Sequence, residues 1–89
     1  MTICKRLQYS GRVQGVGFRY SAHDLARTFA ITGFVRNLPN GDVELVVEGP
    51  QEQVDSYLGA VARRMGDRIA NFDCQDQLPA GLKDFQIRF

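Results

Sequence analysis

The sequence predicts an α+β sandwich in which an antiparallel sheet carries two helices on one face. Three observations lead there. Segments of apolar–polar alternation recur along the chain, two segments with helical spacing interrupt them, and an Asn-Gly turn joins two of the strands. The 89 residues read as one domain, 1–89, with no linker, repeat or low-complexity tract. Hydrophobic residues make up 44% and charged residues 24%, a globular balance that lets a chain of this size fold without metals or disulfides.

Residues 3–13 place Ile3, Leu7, Tyr9 and Val13 at odd positions, interrupted by Lys5 and Gly11, and read as a half-buried strand. Gln14-Gly15-Val16-Gly17 is a glycine-rich connection. Ala22, Leu25, Ala26 and Phe29 fall at i, i+3, i+4 and i+7 and predict the first helix, with Thr32-Gly33 ending the segment. Phe34 to Leu38 is the second strand. Pro39-Asn40-Gly41-Asp42 is a turn, because Asn-Gly tolerates the positive φ values that a tight hairpin needs. Val43, Leu45 and Val47 alternate with Asp42, Glu44 and Glu48, a third strand with one wet face, which Gly49-Pro50 breaks. From Gln51 to Met65 the stripe Val54, Leu58, Val61 and Met65 predicts the second helix, with Gly66 as its stop. Ile69 to Cys74 is a weaker strand, and Phe85, Ile87 and Phe89 alternate with Asp84, Gln86 and Arg88 in a short C-terminal one. The order β-α-β-β-α-β plus a terminal strand is the ferredoxin-like, split β-α-β arrangement. That fold hosts many functions, so the order alone names none.

Composition removes several classes. Eleven Lys+Arg against ten Asp+Glu leave a net charge of +1, without the basic excess of a nucleic-acid binder. No apolar run exceeds three residues, for example Leu45-Val46-Val47, whereas a membrane span needs about 20. The expectation is a cytoplasmic monomer with no membrane and no nucleic-acid partner. Cys4 and Cys74 fit reduced thiols of a cytosolic protein. There is no Cys-x-x-Cys and His23 is the only histidine, so a zinc site lacks ligands and neither a metal nor a cofactor is expected.

The informative segment is Gly11 to Tyr20, Gly-Arg-Val-Gln-Gly-Val-Gly-Phe-Arg-Tyr. It lies between the first strand and the first helix, where free backbone N–H groups and the positive end of the helix dipole coincide. Gly15 and Gly17 let successive N–H groups turn inward to form an anion cup, and the Arg19 guanidinium closes it with two donors at once. A tight strand-to-helix turn with a surface arginine explains the same residues. Neither a Gly-Lys-[Ser/Thr] nor a Gly-x-Gly-x-x-Gly pattern is present, since Tyr20 stands at the sixth position, so no nucleotide site follows. Asn37, closing the second strand, offers a donor and an acceptor that fit holding a water, but from the residues alone capping the turn is the more usual role. His23 reads as a helix-surface histidine, Asp24 and Arg27 as a surface pair, and Arg63-Arg64 as charges suited to a helix end.

Two stretches resemble a known family. Val13-Gln14-Gly15-Val16-Gly17-Phe18-Arg19 is similar to the first signature of the acylphosphatases, Val-x-Gly-Val-x-Phe-Arg. Gly33-Phe34-Val35-Arg36-Asn37-Leu38-Pro39-Asn40-Gly41-Asp42-Val43-Glu44 resembles the second, and Phe85-x-Ile87-x-Phe89 the family's usual ending. The resemblance implies hydrolysis of the carboxyl–phosphate anhydride of acyl phosphates, with carboxylate and inorganic phosphate as products and no metal or cofactor. It further implies that Arg19 binds the phosphate, that the amides of Gln14, Gly15, Val16, Gly17, Phe18 and Arg19 cradle it, and that Asn37 positions the attacking water.

Two rivals remain. One is a non-catalytic phosphate- or anion-binding module that keeps the cup. The other is an RNA-recognition module, which Gly17-Phe18-Arg19-Tyr20 superficially resembles. Those modules carry their aromatics on the third strand, and here that strand has none and is acidic.

Overall fold

Val43–Pro50, the strand densest in β-branched residues, takes the centre of the sheet. The computed structural model describes residues 1–89. Its elements are β1 (Thr2–Gly11), α1 (Phe18–Ala26), β2 (Thr32–Asn37), β3 (Val43–Pro50), α2 (Gln51–Met65), a 3₁₀ turn (Gly66–Arg68), β4 (Ile69–Gln77) and β5 (Phe85–Arg88). The sheet order is β4-β1-β3-β2-β5, the ferredoxin-like arrangement with an added edge strand. β1 and β2 both run antiparallel to β3, so they are parallel to each other and end together. Tyr9 and Asn37 both pair with Val43, which brings Asn37 level with the last residues of β1. β5 pairs parallel to β2, so the sheet as a whole is mixed.

One face of the sheet holds the core. Leu7, Tyr9, Val35, Val43, Leu45 and Val47 meet Phe18, Ala22 and Ala26 of α1 and Val54, Tyr57, Val61 and Met65 of α2 in one buried cluster. Tyr57 takes the place expected for Leu58, which is only half-buried. Both positions border the stripe, and the Tyr57 hydroxyl finds a buried acceptor, the Ala22 carbonyl, at 2.7 Å.

The first helix is shorter than its apolar spacing predicts. It ends at Ala26, and Arg27, Thr28 and Phe29 continue in tighter turns, their N–H groups donating to the carbonyls of Asp24, Leu25 and Ala26. Phe29 still packs edge-on against Tyr57, with ring centroids 5.9 Å apart. Thr32 and Gly33 open β2 rather than closing the helix. At the other junction, β3 runs through Gly49 and Pro50, which pair with Ile3 and Thr2, and α2 starts at the next residue. Pro50 has an extended backbone, so it ends a strand as readily as it precedes a helix.

The wet face expected on β3 is absent. Glu44 and Glu48 are 5% and 6% exposed, because other segments cover that side of the central strand. Arg6 and Arg36 flank Glu44 from the two neighbouring strands and donate to its two carboxylate oxygens. Burial by itself raises the Glu44 carboxyl; the hydrogen bonds from Arg36 and Arg6 and their charges outweigh it and hold the group below its ordinary value. Glu48 accepts the backbone N–H groups of Ala80, Gly81 and Leu82 at 2.6, 3.0 and 3.2 Å, which ties the connection from β4 to β5 across the sheet. Asp24 does not pair with Arg27 but approaches Arg64 of α2 at 3.9 Å. Cys4 is buried and Cys74 exposed, and both are free thiols. They stand opposite Gln77 and Leu7, at different points of the β1–β4 ladder.

Candidate active site

The connection from β1 to α1 is pegged at both ends and open in the middle. The Arg12 N–H donates to the Arg68 carbonyl at 2.9 Å, and the side chain of Val13 is buried in the core. Phe18, equally buried, fixes the start of the helix, with its ring 5.0 Å from that of Tyr9. Between those pegs Gln14, Gly15, Val16 and Gly17 are exposed. Gly15 and Gly17 have φ of 74° and 80°, the left-handed region that L side chains rarely adopt. A Cβ at either would meet nothing within 4 Å, so backbone conformation rather than space calls for glycine there.

That conformation leaves donors unspent. Gly17 caps α1 without a side-chain hydrogen bond, and the first helical bond runs from the Ser21 N–H to the Gly17 carbonyl at 2.9 Å. No backbone N–H of residues 14–20 donates to another protein group. A cleft of about 150 Å³ opens beside them, lined by Val13, Gly15, Gly17, Phe18, Arg19, Tyr20 and Asn37. Arg19 is half-buried, forms no ion pair, and holds its guanidinium carbon 4.9 Å from the centre of the Phe89 ring. Asn37 is half-buried at the end of β2, and its carboxamide bonds to no other protein group.

Arg19 and Asn37 therefore line one cleft, although β3 separates the strands that lead to them. Gln14 does something the sequence did not disclose: its side-chain NH₂ donates to the carbonyls of Leu38 and Asp42, each at 2.8 Å. Phe89, read as the end of a strand, instead stacks on Arg19, and Tyr20 joins the cleft wall. Only the exposed, short-looped position of Gln14 and the aromatic last residue were available as signals. His23 is not at the cleft; its ring meets Phe85 edge-on at 6.2 Å. No three His, Cys, Asp or Glu side chains gather anywhere in a group able to hold a metal ion. A larger groove of about 540 Å³ between α2 and the β1–β4 edge is lined mostly by apolar side chains such as Leu7, Leu58 and Phe72, and none of the cup's residues reaches it.

The acylphosphatase family profile matches residues 5–87, nearly the whole chain and both ends of this cleft. The chain belongs to the acylphosphatase family. The acylphosphatase of Methanothrix thermoacetophila is 42% identical, over 98% of each chain. That of Syntrophotalea carbinolica is 38% identical, over 94% of each. The crystal structure of acylphosphatase from Bacillus subtilis superposes with a TM-score of 0.88 at 29% identity, covering all of both chains. The activity that goes with acylphosphatase membership is hydrolysis of the carboxyl–phosphate anhydride of an acyl phosphate, giving a carboxylate and inorganic phosphate.

Proposed function

We propose that this acylphosphatase binds the phosphoryl group of its substrate with Arg19 and the amides of residues 14–19, and that Asn37 holds the attacking water. One observation carries the roles: a guanidinium without an ion pair, unspent loop amides and an unbonded carboxamide line the same small cleft. The chemistry asks for little more. A carboxylate departs as an anion and needs no acid, and a loose phosphoryl-transfer transition state leaves the protein chiefly positioning and charge stabilisation. The guanidinium fork and the amides stabilise the equatorial oxygens. The carboxamide orients water without adding a charge.

The water proton passes to a phosphate oxygen of the substrate itself, consistent with a cleft wall that has no histidine or carboxylate. His23 lies outside the cleft, so His23→Gln should leave turnover and its pH profile unchanged, and a pH-rate limb that disappears in that variant would count against this step. We take the protein to be a cytoplasmic monomer, as its composition suggests, and a molar-mass measurement by light scattering checks the monomer. No helix is long and apolar enough to cross a membrane.

The test is hydrolysis of benzoyl phosphate in EDTA by the wild type and by Arg19→Ala. Rapid turnover that persists in chelator and is lost in the variant supports the assignment. A folded wild type that binds inorganic phosphate and releases no benzoate would make the loop an anion-binding module, the second reading of the sequence.

A further inference from the structure

The two halves of the cleft come from parts of the sheet that never touch by strand pairing. The phosphate loop follows β1, Asn37 ends β2, and β3 lies between them. Backbone ladders therefore set their relative position only through a third strand. A direct tie exists in one place, the Gln14 carboxamide, which spends both of its N–H bonds on the Leu38 and Asp42 carbonyls. Those residues form the neck of the β2–β3 hairpin: the Leu38 N–H donates to Asp42 O at 2.8 Å, Leu38 follows Asn37, and Asp42 precedes Val43, the register partner of Asn37. The hairpin is braced a second time, where the Gln8 side chain donates to an Asp42 carboxylate oxygen at 2.7 Å.

We infer that Gln14 is a positioning residue that fixes Asn37 relative to the phosphate cup through this two-point clamp. The inference rests on the water-holding role proposed above for Asn37. Two neutral, exposed hydrogen bonds add little stability, but a reacting group displaced by about 1 Å costs about 100-fold in rate. The clamp therefore matters to turnover more than to folding. The backbone amide of residue 14 is untouched by side-chain replacement, so phosphate binding is separable from water placement.

The experiment is a double-mutant cycle of Gln14→Met and Asn37→Ala on benzoyl phosphate, with competitive inhibition by inorganic phosphate measured for each protein. Methionine keeps the unbranched stem and removes both donors. The expected result is a fall in kcat of about 10- to 100-fold for Gln14→Met with the phosphate inhibition constant kept within about twofold, and almost no further fall when Asn37 is already alanine. Full additivity of the two losses, or a loss of phosphate binding equal to the loss of kcat, overturns the inference and leaves the activity standing. Full turnover by Asn37→Ala instead overturns the water role and the inference together. A wild-type measurement covers the case of a variant that does not fold: hydrogen exchange of the Gln14 side-chain amide is slowed if both protons are held, and exchange at the rate of a free amide overturns the clamp.

Discussion

Residues 14–20, a loop and the first turn of α1, and residues 80–82 both present backbone N–H groups outside the sheet, yet the two segments end in different states. At 80–82 three amides converge on the buried carboxylate of Glu48, so the chain supplies its own anion. At 14–20 the amides meet no protein acceptor, and the neighbouring cation, Arg19, forms no ion pair. Burial accounts for the difference. A carboxylate removed from water must be hydrogen-bonded, so Glu48 and its loop are locked together. Gln14 to Gly17 stay exposed, so water can serve their donors and the proposed phosphoryl ligand would be free to exchange. The same backbone chemistry thus makes a strap in one place and a cup in the other.

Replacing the cation of the open segment gives the largest effect. Arg19→Ala lowers kcat/KM for benzoyl phosphate by about 10³-fold or more, and Arg19→Lys also fails, because a point charge does not reproduce the planar fork. Circular dichroism and urea unfolding should change little, since the fold loses only the stacking on Phe89. Next comes Asn37→Ala, with kcat down about 100-fold and phosphate inhibition retained. Weakened phosphate inhibition with turnover intact would assign Asn37 to the cup instead.

The closed segment responds in the opposite currency. Glu48→Ala leaves the Ala80, Gly81 and Leu82 amides without their shared acceptor and lowers unfolding free energy by about 1–3 kcal/mol, read from urea midpoints, while turnover survives. Loss of turnover without loss of stability would break the comparison. The smallest effect belongs to Glu44. Its carboxyl lies below its ordinary value of 4.5, so its contribution is fully present above pH 4.5 and is lost as pH falls through the lowered value. Urea midpoints of the wild type should fall in that acid range, and Glu44→Gln should flatten part of the slope.

Much of the cleft's local structure was legible in the residues. Gly15 and Gly17 mark a left-handed loop, Arg19 follows at the helix entrance, and Asn37 closes a strand, all local features that a short stretch of chain encodes. The α2 limits, Gln51–Met65, agree with the apolar stripe because Pro50 and Gly66 bound it. The Gln14 clamp was not legible, since a carboxamide in a loop gives no sign of which carbonyls it will reach. Nor was the stacking of Phe89 on Arg19, which depends on where β5 ends in space.

By itself the sequence determined the order of elements, the glycine positions of the β1–α1 connection and the family, because apolar period, turn chemistry and motif spacing are properties of neighbours in the chain. Only the tertiary structure decided that Tyr9 and Asn37 share Val43 as partner, that β5 runs parallel to β2, and that Glu44 and Glu48 are covered. Alternation along a strand says which side chains share a face. What covers that face, and which strand ends meet, is set by register and packing between segments far apart in sequence.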